Sequence, residues 1–316
     1  MSKRALVTGA AGFIGSNLVD HLIDLGWDVV GIDNESSLAH DQFYYNPKAS
    51  YVPKEDADIS TDKPWKALAN EKFDYVFHMG AECRIQQCIE NPALCISTNV
   101  LGTVKTLDYA ARVGAKRLVM SSTSSIYAGC DYMVDENEEP ICINPYASTK
   151  LAGEVFCKQY SMTTELDTVI LRYFNVYGER QPVRGSYAPV IGVFQRQLRD
   201  RQAFTIVGDG EQRRDFVHVK DIARANVLAA QEHDYSGGNM NAEVFNIGTG
   251  VNYSVNQVAD MISKTNNRIN LPARDGEARI TLCDWGKANN WLRWQPTIKL
   301  EDWITQQKEH HVLTEQ

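Results

Sequence analysis

The sequence predicts an α/β protein: a doubly wound parallel sheet followed by a smaller α/β domain. Three observations carry this expectation. From residue 1 to about 173, short β-rich runs alternate with helical patterns, the order that gives parallel strands with crossover helices on both faces. A glycine-rich turn joins the first strand run to the first helical run. After Asn175 the alternation gives way to loops and shorter elements.

In chain order, residues 5–8, 28–33, 75–78, 117–121 and 168–173 read as strands, and 14–25, 99–113 and 148–160 as helices with enough apolar positions to pack on a sheet. Beyond Asn175 a helix is expected over 190–201 and a strand over 204–208. Residues 216–250 again resemble sheet-packing elements, a flexible loop is expected over 233–242, and a helix over 285–295 is expected to return to the smaller domain. The division is therefore discontinuous. Residues 1–173 plus about 215–250 form the large domain, and about 174–214 plus 251–316 the small one.

Composition narrows the function. The chain has 316 residues, 43% of them apolar, and a net charge of −8. That charge argues against general affinity for nucleic acid or an anionic membrane, so an anionic ligand must be held by individually placed arginines. Seven cysteines, odd in number and without a C-x-x-C pair, read as reduced thiols and a cytoplasmic protein. No histidine pattern suits a metal; the His310-His311 pair lacks partners at ligand spacing, so no metal is expected. A strand run from Arg4 leaves no room for a signal peptide, and no apolar run approaches a membrane span.

Gly9-Ala10-Ala11-Gly12-Phe13-Ile14-Gly15 follows the first strand and opens the first helix. Glycines at this spacing permit a tight turn and close approach of backbone to a pyrophosphate at the helix N-terminus. This makes the sheet Rossmann-type. Asp33 ends the second strand eighteen positions after Gly15, where a carboxylate can accept hydrogen bonds from a ribose. Residues 34–38 carry no basic side chain for a 2′-phosphate, so NAD is favoured over NADP.

Tyr146-Ala147-Ser148-Thr149-Lys150 sets a phenol and an ammonium four residues apart on one helical face. To act as a base near neutrality the phenol must fall from a pKa of about 10, roughly 4 kcal/mol of preferential stabilisation of the phenolate. A nearby cation supplies part of it.

These residues closely resemble the extended short-chain dehydrogenase/reductase family, in its NAD-dependent epimerase/dehydratase branch and nearest to the UDP-glucose and UDP-N-acetylglucosamine 4-epimerases. The resemblance runs over nearly the whole chain. It includes the glycine turn, Asp58-Ile59, His78-Met79-Gly80-Ala81, Asn99-Val100-Leu101-Gly102-Thr103, the Ser/Thr cluster from Ser121, Tyr146 to Lys150, Arg172-Tyr173-Phe174-Asn175, and the segments around Arg214, Asn246 and Arg274. It implies that NAD is held by Gly9, Gly12, Phe13, Ile14, Gly15, Asp33, Asn34, Asp58, Ile59, Met79, Gly80, Ala81, Asn99, Ser121, Tyr146, Lys150 and Phe174. It implies catalysis by Tyr146 as base, Thr123 on the reacting oxygen and Lys150 bridging ribose and phenolate. For a nucleotide-diphosphate sugar, UDP-linked by preference, it implies contacts from Thr123, Tyr146, Asn175, Val190, Thr205, Val207, Arg214, Arg274 and Thr281. The helices over 91–113 and 148–160 are implied to pair in a homodimer.

Ser124-Ser125 discriminates among the family's reactions. An acid in that place would serve elimination or decarboxylation; without it the simplest cycle is C4 oxidation, rotation of the keto sugar and re-reduction, which is 4-epimerisation. A 4,6-dehydratase, or an epimerase of another nucleotide sugar, is the alternative, and a non-catalytic dinucleotide sensor is a third reading. Thr281, where a bulky residue would narrow the pocket near the sugar's C2, is expected to admit an N-acetyl group. Met79-Gly80-Ala81 and Ala128 depart from the commoner family pattern without removing a catalytic group.

Overall fold

A computed structural model describes residues 2–37, 40, 42–184, 188–231 and 240–314, with side chains to residue 309. The loop expected over 233–242 lies mostly outside the described residues, as do Tyr187 and the side chains of His310 and His311.

The chain runs β1 (Arg4–Thr8), α1 (Phe13–Asp24), β2 (Asp28–Ile32), β3 (Ser50–Tyr51), α2 (Lys63–Ala67), β4 (Tyr75–His78), α3 (Ile85–Glu90), α4 (Pro92–Ile96), α5 (Gly102–Arg112), β5 (Arg117–Thr123), α6 (Pro145–Thr163) and β6 (Asp167–Tyr173). It continues through β7 (Asn175–Tyr177), α7 (Val190–Arg199), β8 (Phe204–Val207), β9 (Arg213–His218), α8 (Val219–Ala230), β10 (Glu243–Ile247), β11 (Asn252–Ser254), α9 (Val255–Ile262), β12 (Arg268–Leu271), α10 (Gly286–Leu292) and α11 (Leu300–Thr314).

Seven parallel strands form the central sheet in the order β10-β6-β5-β4-β1-β2-β3. The order reverses direction between β1 and β4, the crevice where ligands bind in open α/β sheets. Leu6 and Val7, adjacent in β1, enter separate cores on the two faces, as a side-chain period of two requires. β4 and β5 are buried along their whole length, the consequence of helices covering both faces of a parallel sheet.

Two smaller sheets, β11-β9-β7 and β12-β8, share a third core that includes Tyr177, Phe194, Phe204, Ile206, Val258 and Trp303. Phe194 and Phe204 stack at 4.7 Å. Asp215, buried in β9, fastens this part together: its carboxylate accepts from the Thr249 N–H and hydroxyl, the Gly250 N–H and the Cys283 N–H at 2.7–3.0 Å.

The helix expected over 285–295 is α10, and its destination corrects the expectation. It packs on β10 and α8 of the large sheet, not on the small domain. Ala288, Leu292 and Trp294 are buried in the core they share with Phe245 and Ala225, and the Trp294 indole donates to the Asp221 carbonyl at 2.9 Å. A second departure is at 99–113, where a π turn, Ser97–Leu101, joins α4 to α5.

Candidate active site

A cavity of roughly 1080 Å³ lies over the carboxyl ends of the parallel strands, from the Gly9 turn to the loop carrying Arg274. Of the residues predicted to touch a ligand, all but Asn99 line it.

At one end the walls are mostly backbone. Gly9 has φ +66, and a Cβ there would come within 2.8 Å of the Gly80 N. A Cβ on Gly15 would stand 1.9 Å from the Gly9 carbonyl oxygen, so this turn can close only around glycine. α1 begins with no side-chain cap and no acid in its first turn, leaving its N-terminus suited to an anionic group. Asp33 follows β2; burial pushes its carboxyl up, while N–H donors from Ala11 and Glu35 at 2.9 Å hold the charged form. Lys54, a cation of this region, is matched by Glu35 at 2.5 Å, so its charge is not surplus for a 2′-phosphate. These features fit a dinucleotide diphosphate with an unmodified ribose. Asp58 spends one oxygen on the Ser60 N–H and hydroxyl, and Ile59 is buried beneath Gly80 and Gly102.

Asn99, expected to touch NAD, does not itself line the cavity. Its carbonyl oxygen accepts from the Glu82 N–H at 2.8 Å, and its amide donates to the Glu82 carbonyl at 2.9 Å and the Thr149 hydroxyl at 3.0 Å. The π turn carries this side chain inward, tying the loop after β4 to α6; the linear motif did not reveal that destination. His78 is equally internal. It is held between the hydroxyls of Thr8 and Thr103 at 2.8 and 2.9 Å, and burial, then Lys150, push its pKa down to about 3, so it is neutral.

In the middle of the cavity, β5 ends in Ser121, Ser122 and Thr123, and α6 begins beside it. Asn144 caps α6 by accepting from the Ala147 N–H at 2.8 Å, with Pro145 at the first helical position. This start places Tyr146 in the first turn and Lys150 one turn later. The Lys150 ammonium donates to the Ser121 carbonyl at 2.9 Å. The Thr123 hydroxyl donates to the Ser125 hydroxyl and accepts its N–H, both at 3.1 Å.

Burial pushes Lys150 down to about 8 and raises the Tyr146 phenol, with Cys83 adding to the rise and the Thr123 hydroxyl opposing it. Desolvation by the fold thus opposes the phenolate that a cation at (i, i+4) would favour.

Beneath these groups, Arg172 grips Glu154 through two nitrogens at 3.0 and 2.6 Å. The Ser122 hydroxyl donates to the same carboxylate at 2.5 Å, and Arg172 donates to the Tyr127 hydroxyl at 2.5 Å. Tyr127 in turn donates to the Asn246 side chain at 3.0 Å. The network locks β5, β6, β10 and α6 together; removing one charged partner of such a buried pair costs about 3–5 kcal/mol.

The far end is built from side chains. Glu277 stands between Arg214 at 3.5 Å and Arg274 at 3.7 Å, and burial lowers Arg214. The Thr281 hydroxyl donates to the Asn175 side chain at 3.2 Å and accepts the Asp215 N–H at 3.0 Å. Thr205 is paired with Gln197 through both N–H and hydroxyl; Val190 starts α7, Val207 ends β8, and Phe174 is buried beneath Gly248. Arg213 donates to the Asn252 side chain and carbonyl, both at 2.7 Å. The sequence reading missed Glu82, Cys83, Arg84, Gln86, Gln212 and Glu277, which also line the cavity. For the first four, their position directly after His78–Ala81 was the available signal.

A sequence profile of the NAD dependent epimerase/dehydratase family matches residues 5–248. The chain belongs to that family. It is an enzyme, and NAD is its cofactor. Among relatives, a UDP-glucose 4-epimerase of Mycolicibacterium smegmatis is 33% identical over 307 residues, 95% of this chain and 96% of that one. Among solved family structures, the UDP-glucose 4-epimerase of Thermotoga maritima with UDP-glucose superposes with TM-score 0.89 at 32% identity, covering 99% and 100% of the two chains. The UDP-N-acetylglucosamine 4-epimerase of Methanobrevibacter ruminantium in complex with UDP-N-acetylmuramic acid gives TM-score 0.84 at 32% identity, covering 96% of each. The non-catalytic sensor reading is thereby set aside.

Proposed function

We propose that this chain inverts C4 of a UDP-linked hexose or N-acetylhexosamine through transient oxidation, with Tyr146, Thr123 and Lys150 as its catalytic residues. The observation that carries the reading is the meeting of Tyr146 and Thr123 at mid-cavity, with Ser124-Ser125 following where an acid would serve elimination. NAD, when bound, supplies the hydride acceptor and donor and a cationic ring. Tyr146 takes the C4 hydroxyl proton as that carbon is oxidised. Thr123 holds the reacting oxygen by hydrogen bond, and Lys150, fixed by the Ser121 carbonyl, favours the phenolate electrostatically. The ketone then presents its other face, and Tyr146 returns the proton. Arg214 and Arg274 face the two phosphates, the task for which guanidinium geometry is suited. The large sheet carries NAD and the two small sheets carry the nucleotide sugar.

One observation favours a second reading. Glu82 is buried in the cavity wall, one carboxyl oxygen has no hydrogen-bond partner, and burial raises its pKa. A neutral acid there could serve a 4,6-dehydratase. Purified protein incubated with UDP-GlcNAc, UDP-glucose and dTDP-glucose separates the two. Proton NMR should show a C4 epimer of a UDP sugar without net cofactor use; a 4-keto-6-deoxy product would establish the dehydratase.

A homodimer in the cytoplasm completes the proposal. Leu94, Ile96, Leu101, Val155 and Met162 are exposed apolar residues on the α4–α5 and α6 faces, the kind of surface that isologous pairing buries. All seven cysteines are unpaired. Light scattering should give twice 35.5 kDa; a single 35.5 kDa species at micromolar concentration would refute the dimer.

A further inference from the structure

The two short helices α3 and α4 pack against α6, and each turns a thiol inward. Cys88 in α3 and Cys95 in α4 are both 1% exposed, whereas Cys83, just ahead of α3, is exposed on the cavity wall. In one continuous helix, residues seven apart would stand roughly 10 Å apart along the axis. Here the helix breaks at Asn91 (φ −135, ψ 74), which ends α3 and caps α4 by accepting the Leu94 N–H at 3.1 Å. The break brings both sulfurs around a single peptide group. Cys88 Sγ donates to the Glu82 carbonyl at 3.8 Å, and the Asn99 amide donates to that same carbonyl at 2.9 Å and to Cys95 Sγ at 3.3 Å.

The surroundings of the two sulfurs differ in kind. Cys95 Sγ accepts an amide N–H, which favours a thiolate, while Cys88 Sγ gives its proton to a carbonyl, which favours a thiol. Hydrogen bonding between the two thiols acts in the same sense, drawing Cys95 down and pushing Cys88 up. A thiolate-prone sulfur with a second sulfur beside it has the makings of an oxidisable dithiol. The pair is also tied to the catalytic turn. Cys95 Sγ lies 3.5 Å from the Thr149 hydroxyl, which donates to the Tyr146 carbonyl at 2.8 Å and belongs to the residue just before Lys150. Glu82, Ile85 and Leu94 line the cavity, so a shift of α3 against α4 reshapes the wall that faces Tyr146.

We propose that Cys88 and Cys95 are an oxidation site for hydroperoxides, closing to a reversible disulfide that slows turnover by displacing Thr149 and the wall over residues 82–96. The Cys95 thiolate attacks one peroxide oxygen; the O–O bond breaks, a sulfenic acid forms and hydroxide leaves. The Cys88 sulfur then attacks the Cys95 sulfur, the S–O bond breaks, and the disulfide forms as water departs. With hydrogen peroxide, two electrons pass from the thiols to the oxidant, and the two thiol protons end in two waters. An oxidant this small suits sulfurs that lie one peptide group behind the cavity wall.

Trypsin cleaves after Arg84 and Lys105, so Cys88 and Cys95 share one peptide and Cys83 falls in the preceding one. After hydrogen peroxide, denaturation and alkylation, the wild-type 85–105 peptide should be two hydrogens lighter and carry no alkyl group; dithiothreitol should restore both alkylation sites. Epimerisation should fall about 10- to 100-fold in kcat, the scale of a slightly misplaced catalytic group, and recover on reduction. That readout alone rests on the epimerase reading. C88S and C95S, each compared with its own untreated activity, should lose most of the peroxide response, and C83S should keep it. Two alkylated sites in the peptide from treated wild type, a bridge to the Cys83 peptide, or loss of the response in C83S overturns the assignment, and a closed disulfide with unchanged turnover overturns its effect on the reaction. Should a serine variant fail to fold, the wild-type peptide and its recovery by dithiothreitol still decide. If no sugar turns over, the epimerase reading fails, and the peptide mass tests the disulfide separately.

Discussion

The two ends of the cavity are made of different materials. The end over β1 and β2 is shaped by backbone: a glycine turn, an uncapped helix start and one carboxylate held by N–H groups. The opposite end is shaped by side chains from β9, α7 and the loop around Arg274, with Glu277 poised between two arginines. The contrast teaches that a ligand portion can be held by geometry that permits few residue types or by chemistry that side chains tune. Tyr146 and Lys150 stand where the two meet.

The largest effect should come at that meeting point. Tyr146→Phe removes the proton carrier and should lower kcat about 10³- to 10⁴-fold, with NAD binding retained by fluorescence titration. Loss of NAD binding as well would show that the phenol belongs structurally to the backbone-built end.

Lys150 tests the junction through stability. Its ammonium is pushed down to about 8 by burial, against about 10.4 in an unfolded chain. Below pH 8 the folded chain carries a charged, desolvated lysine at a cost. Between about pH 8 and 10 the folded state releases that proton while the unfolded state keeps it, so this group's contribution to stability rises with pH. The measurement is the difference between wild type and Lys150→Met in denaturant unfolding, because buried thiols such as Cys157, pushed up by burial, act in the opposite sense in both proteins. The difference should move in favour of wild type by on the order of 2–3 kcal/mol from pH 7.5 to 10; a flat difference would mean that Lys150 is solvated.

A matched pair of substitutions sharpens the comparison itself. Gly15→Ala forces a Cβ against the Gly9 carbonyl and should cost about 1–3 kcal/mol of stability together with NAD affinity. Arg214→Ala should leave NAD affinity intact and raise KM for the nucleotide sugar by about 10- to 100-fold. If both variants lose the same ligand, the ends are not independent. The smallest effect is expected at Thr281→Tyr, which should depress kcat/KM on UDP-GlcNAc about 10-fold more than on UDP-glucose; equal losses would end the idea that this residue gates the C2 substituent.

Legibility in the sequence followed the same division. The Gly9–Gly15 turn, Asp33 and the Tyr146–Lys150 spacing are local, since each is a run of chain whose geometry is set within one or two elements. Arg214, Arg274 and Thr281 were reached through resemblance, because nothing in their immediate sequence states what faces them. The internal partners of Asn99 were hidden for a related reason: its motif is local, but a π turn sends its amide to Glu82 and Thr149. The pentapeptide also suggested that Lys150 eases ionisation of the phenol; that burial by the surrounding fold works in the opposite sense is not written in those five residues.

By itself, then, the amino-acid order determined the parallel sheet, the dinucleotide turn and the phenol–ammonium pair, since hydrophobic periodicity and helical spacing act over a few residues at a time. Tertiary structure alone decided that α10 returns to the large sheet and that Glu154 and Arg172 lock the floor of the site. Those outcomes depend on contacts between residues far apart in the chain, whose burial and charge are defined only once the strands and loops have packed.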